Sequence, residues 1–113
     1  MSEDMKQVLD DVYQGMGRLQ KDYPDKMKPF GEFMKATGGP GKLDVKTKEL
    51  IAVALSVKSQ CELCIAYHVK LAQNSGADRE EIMEAAFVAA LMGGGPAVMQ
   101  LTRVQNALDA NKK

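Results

Sequence analysis

Apolar residues recur every three or four positions along almost the whole 113-residue chain. Near the N-terminus they fall at Met5, Val8, Val12, Met16, Leu19 and Tyr23. Such spacing places side chains on one stripe of a helix, because an α-helix turns once in about 3.6 residues. The one long apolar run, Leu50–Val57, has the length of a strand, but the residues before it do not alternate and no second strand is available to pair with it. The sequence therefore predicts an all-α bundle of about six helices.

Glycine and proline residues divide the chain into its helices. Gly38–Gly41 is the clearest break, and Gly93–Gly95, followed by Pro96, is the second. Pro24 suits the first turn of a helix, where its missing N–H is not needed. Pro29 then predicts either a bend in that helix or its true start.

Two helices are expected to follow the first break. Residues 45–59 contain the apolar run and are predicted to form a buried central helix. The next helix runs from about Cys61 to Asn74, and Gly76 is expected to end it, because glycine adopts the left-handed conformation at little cost. Since only a few residues join these two helices, they should pack antiparallel.

A further helix is predicted after that point. Asp78 and Glu81 have the spacing of an N-terminal capping pair ahead of a new apolar run. One face of this helix is expected to carry Ile82, Ala85, Ala86, Ala89 and Met92.

Composition narrows the classes of partner. Fifteen basic and fifteen acidic residues cancel and no long basic run is present, so nucleic acid is not expected as a partner. No apolar run approaches the ~20 residues needed to span a bilayer, so no membrane association is expected. The polar, acidic N-terminus, Met1–Met5, lacks the segments of a signal peptide and favours a cytoplasmic protein. The length predicts one domain, residues 1–113.

Both cysteines and the only histidine of the chain fall within one short segment, at Cys61, Cys64 and His68. Spacings of three and four residues place all three on one helix face, with neighbours ~5–6 Å apart. The helix N-terminus favours a thiolate at Cys61. His68, one turn beyond Cys64, is placed to exchange a proton with that thiol. A dithiol at this spacing can close into a disulfide that forms and breaks during turnover.

Two other interpretations of these residues remain open at this stage. The cysteines are small enough to serve as buried apolar residues. A structural zinc site is the other alternative, but zinc favours four nitrogen or sulfur ligands and the chain offers three, so a carboxylate or a second subunit would have to complete it. In a reducing cytosol, a Cys-x-x-Cys pair favours catalysis or metal binding over a structural bridge.

Glu49 is a fourth candidate. It lies on the preceding helix, several turns before the connection, so in an antiparallel pair it faces His68. A carboxylate that orients an imidazole is a recurring way to activate a nucleophile. The alternative is that Glu49 is a solvated surface residue beside Lys46 and Lys48.

Taken together, Glu49, eleven intervening residues, Cys61-x-x-Cys64, three more residues and His68 resemble the signature of the alkylhydroperoxidase D-like (AhpD-like) proteins of the carboxymuconolactone decarboxylase superfamily. The flanking segments "KTKELIAVALSV" and "GADREEIMEAAFVAALMGGGPAVM" are also similar to the helical module of this family. The resemblance covers a core module of about residues 43–99.

The resemblance implies a fold, an assembly and a chemistry. It implies an all-α module that forms a homo-oligomer, commonly a trimer or a hexamer; this chain holds a single copy of the module, whereas the longer peroxidases of the family hold two. It implies a thiol-dependent peroxidase or disulfide reductase in antioxidant defence, in which Cys64 reacts with a hydroperoxide and Cys61 closes the disulfide. Glu49 and His68 then form a proton relay. An external dithiol, on a lipoyl group or a thioredoxin-like protein, restores the thiols, and no metal, haem or flavin cofactor is implied.

The sequence also departs from the family pattern. The best-studied type has another histidine directly before the second cysteine, where this chain has Leu63. Glu62 places a negative charge between the two thiols, which opposes a nearby thiolate. The alternatives to the peroxidase are a non-catalytic metal-binding or redox-sensing oligomer that uses the same residues, and a carboxymuconolactone decarboxylase-like enzyme, whose branch of the superfamily lacks the dithiol.

Overall fold

The computed structural model describes residues 4–112, and over that range it contains six helices and no strand. The helices are α1 (Met5–Asp22), α2 (Pro24–Gly38), α3 (Val45–Lys58), α4 (Glu62–Asn74), α5 (Arg79–Gly93) and α6 (Gly95–Ala110). The predicted all-α bundle of about six helices is confirmed. Within residues 4–112, no helix combines the length and the apolar character that crossing a bilayer requires.

The core lies where α3, α4, α5 and α6 meet, and α1 packs against α4 and α6. Its largest fully buried side chains are Val53, Val57, Ile65, Val69, Ile82 and Val104. Small residues on the facing helices, Ala72, Ala86 and Ala89, are also buried and let the helix axes approach closely. The site described below is therefore built on helices held by aliphatic packing.

The prediction of a buried central helix holds for one side of α3 only. Within α3, which the structure describes throughout, the buried residues are Val53, Ser56 and Val57, whereas Ile51 and Leu55 are 45% and 61% exposed. A helix in a small bundle needs only one stripe against the core, so the other apolar side of α3 faces outward. Met92 was likewise expected on the core face of α5 but is 76% exposed.

α2 is the least packed helix of the bundle. Among residues 24–38, all of which are described, none is buried. The helix begins at Pro24 and continues through Pro29, so the alternative start at Pro29 is wrong. Its C-terminal end is tied to α3 by Lys48, whose Nζ donates hydrogen bonds to the backbone oxygens of Thr37 (2.8 Å) and Gly39 (2.6 Å).

An ion pair joins α3 to α5 near the start of both helices. Lys46 Nζ lies 2.8 Å from Glu81 Oε2. The predicted capping pair of α5 is present, because the Asp78 side chain accepts from the Glu81 N–H while the Glu81 side chain accepts from the Asp78 N–H. The hydrogen bond from Lys46, followed by that from the Asp78 backbone, lowers the pKa of Glu81 below its usual value.

Replacing Glu81 by glutamine is expected to destabilise the fold in a pH-dependent way. Glutamine keeps the capping hydrogen bond but removes the charge that pairs with Lys46. A carboxyl group whose pKa is lower in the folded chain adds stability above its unfolded pKa of about 4.3, and that stability is lost as the pH falls through the folded pKa. Urea unfolding should therefore give a lower free energy of unfolding for Glu81→Gln than for the wild type at neutral pH. This difference should shrink below about pH 4. A difference that stays constant with pH would contradict this account.

Candidate active site

A tight left-handed turn places the first cysteine. Gln60, between α3 and α4, has a φ of 56°, which is uncommon for a residue with a side chain. The Cys61 N–H donates to the Ser56 carbonyl (3.1 Å) and the Gln60 N–H donates to the Val57 carbonyl (3.1 Å). These two bonds form a Schellman motif, the arrangement that also ends α4 at Gly76, where glycine was predicted to stop the helix.

Cys61 is the N-cap of α4 rather than a residue of its helical stripe. Its Sγ accepts a hydrogen bond from the Cys64 N–H at 3.2 Å, and its backbone is extended (φ −98°, ψ 99°). Cys64 and His68 lie within the helix, so the expectation that all three residues share one stripe holds for these two only. Cys61 still lies at the N-terminus of α4, as expected. The helix dipole and the unpaired N–H groups of the first turn favour a thiolate at this position.

Cys61 and Cys64 are joined in a disulfide, with their Cα atoms 5.2 Å apart. The backbone therefore already holds the two sulfurs within bonding reach, at the start of a regular helix. Both residues are half-buried, so the pair is accessible from the surface. The arrangement is capable of reversible thiol–disulfide exchange without a rearrangement of the fold.

Glu49 on α3 faces His68 on α4. The distance from Glu49 Oε1 to His68 Nδ1 is 2.8 Å, and the side chains are 15% and 29% exposed. Glu49 is therefore not a solvated surface residue, and Lys46 and Lys48, its neighbours in sequence, bond to other groups. An ionised carboxylate only accepts hydrogen bonds, so opposite such a group Nδ1 is the donor, and the tautomer of the imidazole that fits this contact has its lone pair on Nε2.

Cys64 and His68 line one groove between α1, α2 and α4, here called the Cys64 groove, with a volume of about 370 Å³. Tyr67 also lines it. The Tyr67 ring makes edge contacts with His68 (centroids 5.1 Å apart) and with Tyr13 of α1 (6.3 Å). Burial, then Tyr13 and Glu49, raise the pKa of Tyr67, so its hydroxyl keeps its proton at neutral pH.

The groove also contains residues that the sequence did not indicate. Phe30 and Met34 of α2 line it together with Cys64. Their spacing gives α2 an apolar face, but nothing local shows which helix that face covers. Covariation between α2 and α4 is the type of signal that would have indicated it.

The fold and these contacts define a class of small helical proteins with a dithiol at the start of one helix and a carboxylate–histidine pair beside it. The model of the carboxymuconolactone decarboxylase family matches residues 24–107. This match spans well over half of the chain, and the chain belongs to the carboxymuconolactone decarboxylase family.

Relatives and solved structures agree with this assignment. An uncharacterized protein of Cupriavidus necator is 36% identical and the match covers 97% of each chain. The crystal structure of a carboxymuconolactone decarboxylase family protein from Legionella pneumophila is similar with a TM-score of 0.93, at 35% identity over 99% of this chain and 100% of that one. The alkyl hydroperoxide reductase AhpD of Mycobacteroides abscessus is 35% identical, but the match covers 73% of this chain and 45% of that protein.

The left-handed turn before Cys61 leads to a test at Gln60. Gln60→Val is expected to lower the free energy of unfolding by about 1–2 kcal/mol, because a β-branched side chain resists this conformation. Gln60→Gly, the matched control, should unfold at the same urea concentration as the wild type or a higher one. Equal stability of the valine and glycine variants, measured by urea unfolding of the reduced proteins, would show that the turn is not left-handed.

Proposed function

We propose that this protein is a thiol-dependent peroxidase or disulfide reductase whose reactive pair is Cys61 and Cys64. The observation that carries the proposal is that Cys64 and the Glu49-bound His68 line one groove, with Cys61 within bonding reach of Cys64. Family membership and the likeness to an alkyl hydroperoxide reductase support it. Cysteines that served only as buried apolar residues would require neither the groove nor the histidine.

In the proposed cycle, the Cys64 thiolate attacks the terminal oxygen of a hydroperoxide. The O–O bond breaks, Cys64 becomes a sulfenic acid, and the alkoxide takes up a proton and leaves as an alcohol. The Cys61 thiol then attacks the sulfenic sulfur, which gives the disulfide and water. An external dithiol, on a lipoyl group or a thioredoxin-like protein, reduces the disulfide and is itself oxidised to a disulfide.

Cys64 is the proposed nucleophile because a substrate in the Cys64 groove can reach it. It lines the groove with His68, whereas Cys61 is not among the groove's lining residues. The Sγ of Cys61 instead faces the Cys64 N–H, a suitable place for the resolving thiol. His68 Nε2 is proposed to take the proton of the Cys64 thiol and to return it to the leaving alkoxide. Glu49 acts through His68, as the residue that orients the imidazole.

Two departures from the family pattern bear on this mechanism. Leu63 offers no proton, so the relay here depends on Glu49 and His68 alone. Glu62 would oppose a thiolate, but its carboxylate is paired with Arg103 at 3.1 Å, which offsets part of its charge. The proposed proton relay is therefore shorter than that of the best-studied type, and the charge of Glu62 beside it is partly neutralised.

The assembly and location belong to the same proposal. Several large apolar side chains of α5 and α6 are exposed in the single chain, among them Leu91 (80%), Met92 (76%) and Met99 (70%). Exposed apolar patches of this kind mark interaction surfaces, which supports the homo-oligomer, a trimer or hexamer, that the family resemblance implies. A cytoplasmic location and one domain over residues 1–113 stay predictions.

The first test of the proposal is a thiol count with intact mass on denatured protein, before and after a mild hydroperoxide. We expect two thiols to become none, with the loss of two hydrogens per chain, and a dithiol reductant to restore both. Survival of both thiols would overturn the proposal. A redox sensor would give the same oxidation without sustained peroxide consumption, and a decarboxylase-like enzyme would retain its activity in Cys64→Ser.

A second test separates the roles of His68 and Glu49. His68→Ala should slow oxidation of the reduced dithiol by about 10²–10⁴-fold, the usual contribution of a general base. Glu49→Gln should slow it less, and the double variant should be no slower than His68→Ala, because Glu49 acts through the imidazole. Stopped-flow thiol oxidation across pH 5–9 measures these rates. Glu84→Gln, an exposed carboxylate on α5, is the control, and additive losses in the double variant would contradict the relay.

A further inference from the structure

Three cavities within residues 4–112 flank α2. One is the Cys64 groove (about 370 Å³), another lies between α1 and α2 (about 310 Å³), and the third lies between α2 and α3 (about 740 Å³). Met34 and Tyr67 line all three, so the cavities adjoin one another under the helix. We call this space the α2 cleft. It reaches the reactive cysteine at one end and Glu49 at the other.

The walls of the α2 cleft near Cys64 are apolar. Its aliphatic, thioether and aromatic side chains there come from three helices: Val12, Met16, Leu19, Phe30, Met34 and Leu63. Asp11 is the one acidic residue among the described residues that line this part. When a hydroperoxide with an apolar substituent reaches Cys64, the substituent leaves water, and its burial gives favourable binding free energy. Hydrogen peroxide has no apolar group to bury.

Met34 occupies the central position in this space. Within α2, it alone lines all three cavities, and it is half-buried. Methionine is flexible and polarizable, so it adapts to substituents of different shape. Because α2 adds no residue to the buried core, a change at Met34 alters the cleft rather than the packing that holds Glu49 and His68.

We infer that Met34 is a specificity-determining residue, which sets the size of the apolar substituent of the hydroperoxide that reaches Cys64. The inference rests on the proposed function, because the hydroperoxide that Met34 selects is the one that Cys64 reduces. In the reaction, the Cys64 thiolate takes the terminal oxygen, the O–O bond breaks, and the alcohol that forms carries the substituent out of the cleft with the proton it has gained.

The test compares cumene hydroperoxide with hydrogen peroxide as oxidants of the reduced, full-length protein. The measured quantity is the ratio of their second-order rate constants for thiol loss. Met34→Trp fills the cleft and should lower this ratio at least about tenfold, since even one methylene of mismatch in an apolar pocket costs roughly 10–200-fold in discrimination. Met34→Phe, a smaller change that secures the test if the tryptophan variant does not fold, should lower the ratio in the same direction by less.

Ala36→Trp is the matched control. Ala36 is exposed on the same helix and lines none of the three cavities, so the added ring should leave the ratio at its wild-type value. Circular dichroism of each variant checks that the total helix content matches that of the wild type. If both oxidants react but the Met34 variants keep the wild-type ratio, the inference is wrong and the proposed function stands. If neither oxidant removes the thiols of the wild type, the proposed function and the inference both fail.

Discussion

The antiparallel pairing of α3 and α4 is the constraint on which the site depends. The left-handed turn at Gln60 reverses the chain within a few residues, so Glu49 and His68 come level across the pair while Cys61 becomes the N-cap of α4. The register of the two helices is set by packing rather than by the polar contact, through fully buried Val53, Val57, Ile65 and Val69. The Glu49–His68 hydrogen bond therefore forms between groups that are already ordered, and little further entropy is lost in making it.

Short-range sequence patterns were sufficient to predict most of the fold. The spacing of apolar residues, with glycine and proline as breaks, predicted the helices because each signal acts within one or two turns of the chain. The end of α4 at Gly76 and the capping pair Asp78 and Glu81 follow from the same short-range chemistry. The position of Glu49 opposite His68 was also predictable, because a short connection between two helices leaves an antiparallel arrangement as the simplest one.

The features that the sequence did not predict depend on contacts between distant segments or on unusual backbone geometry. Gln60 adopts a conformation that is typical of glycine, and no propensity signals it. The outward side of α3, with Ile51 and Leu55, has the same apolar composition as its buried side, so composition could not tell them apart. The position of α2 over the groove was hidden for a similar reason, since its residues contribute to no core that would identify their partners.

The proposed chemistry and the proposed selection of substrate thus depend on different parts of the fold. The acid–base pair and the cysteines lie on helices that are fixed by the core, where a small displacement would separate groups that must stay within hydrogen-bond reach. Part of the wall proposed to face an incoming hydroperoxide lies on α2, which has no buried residue and is tied to α3 at its end by Lys48. On this proposal, a substitution on α2 changes which substituents fit beside Cys64 while the distance between Glu49 and His68 is preserved, because the core packing that holds Glu49 and His68 includes no residue of α2.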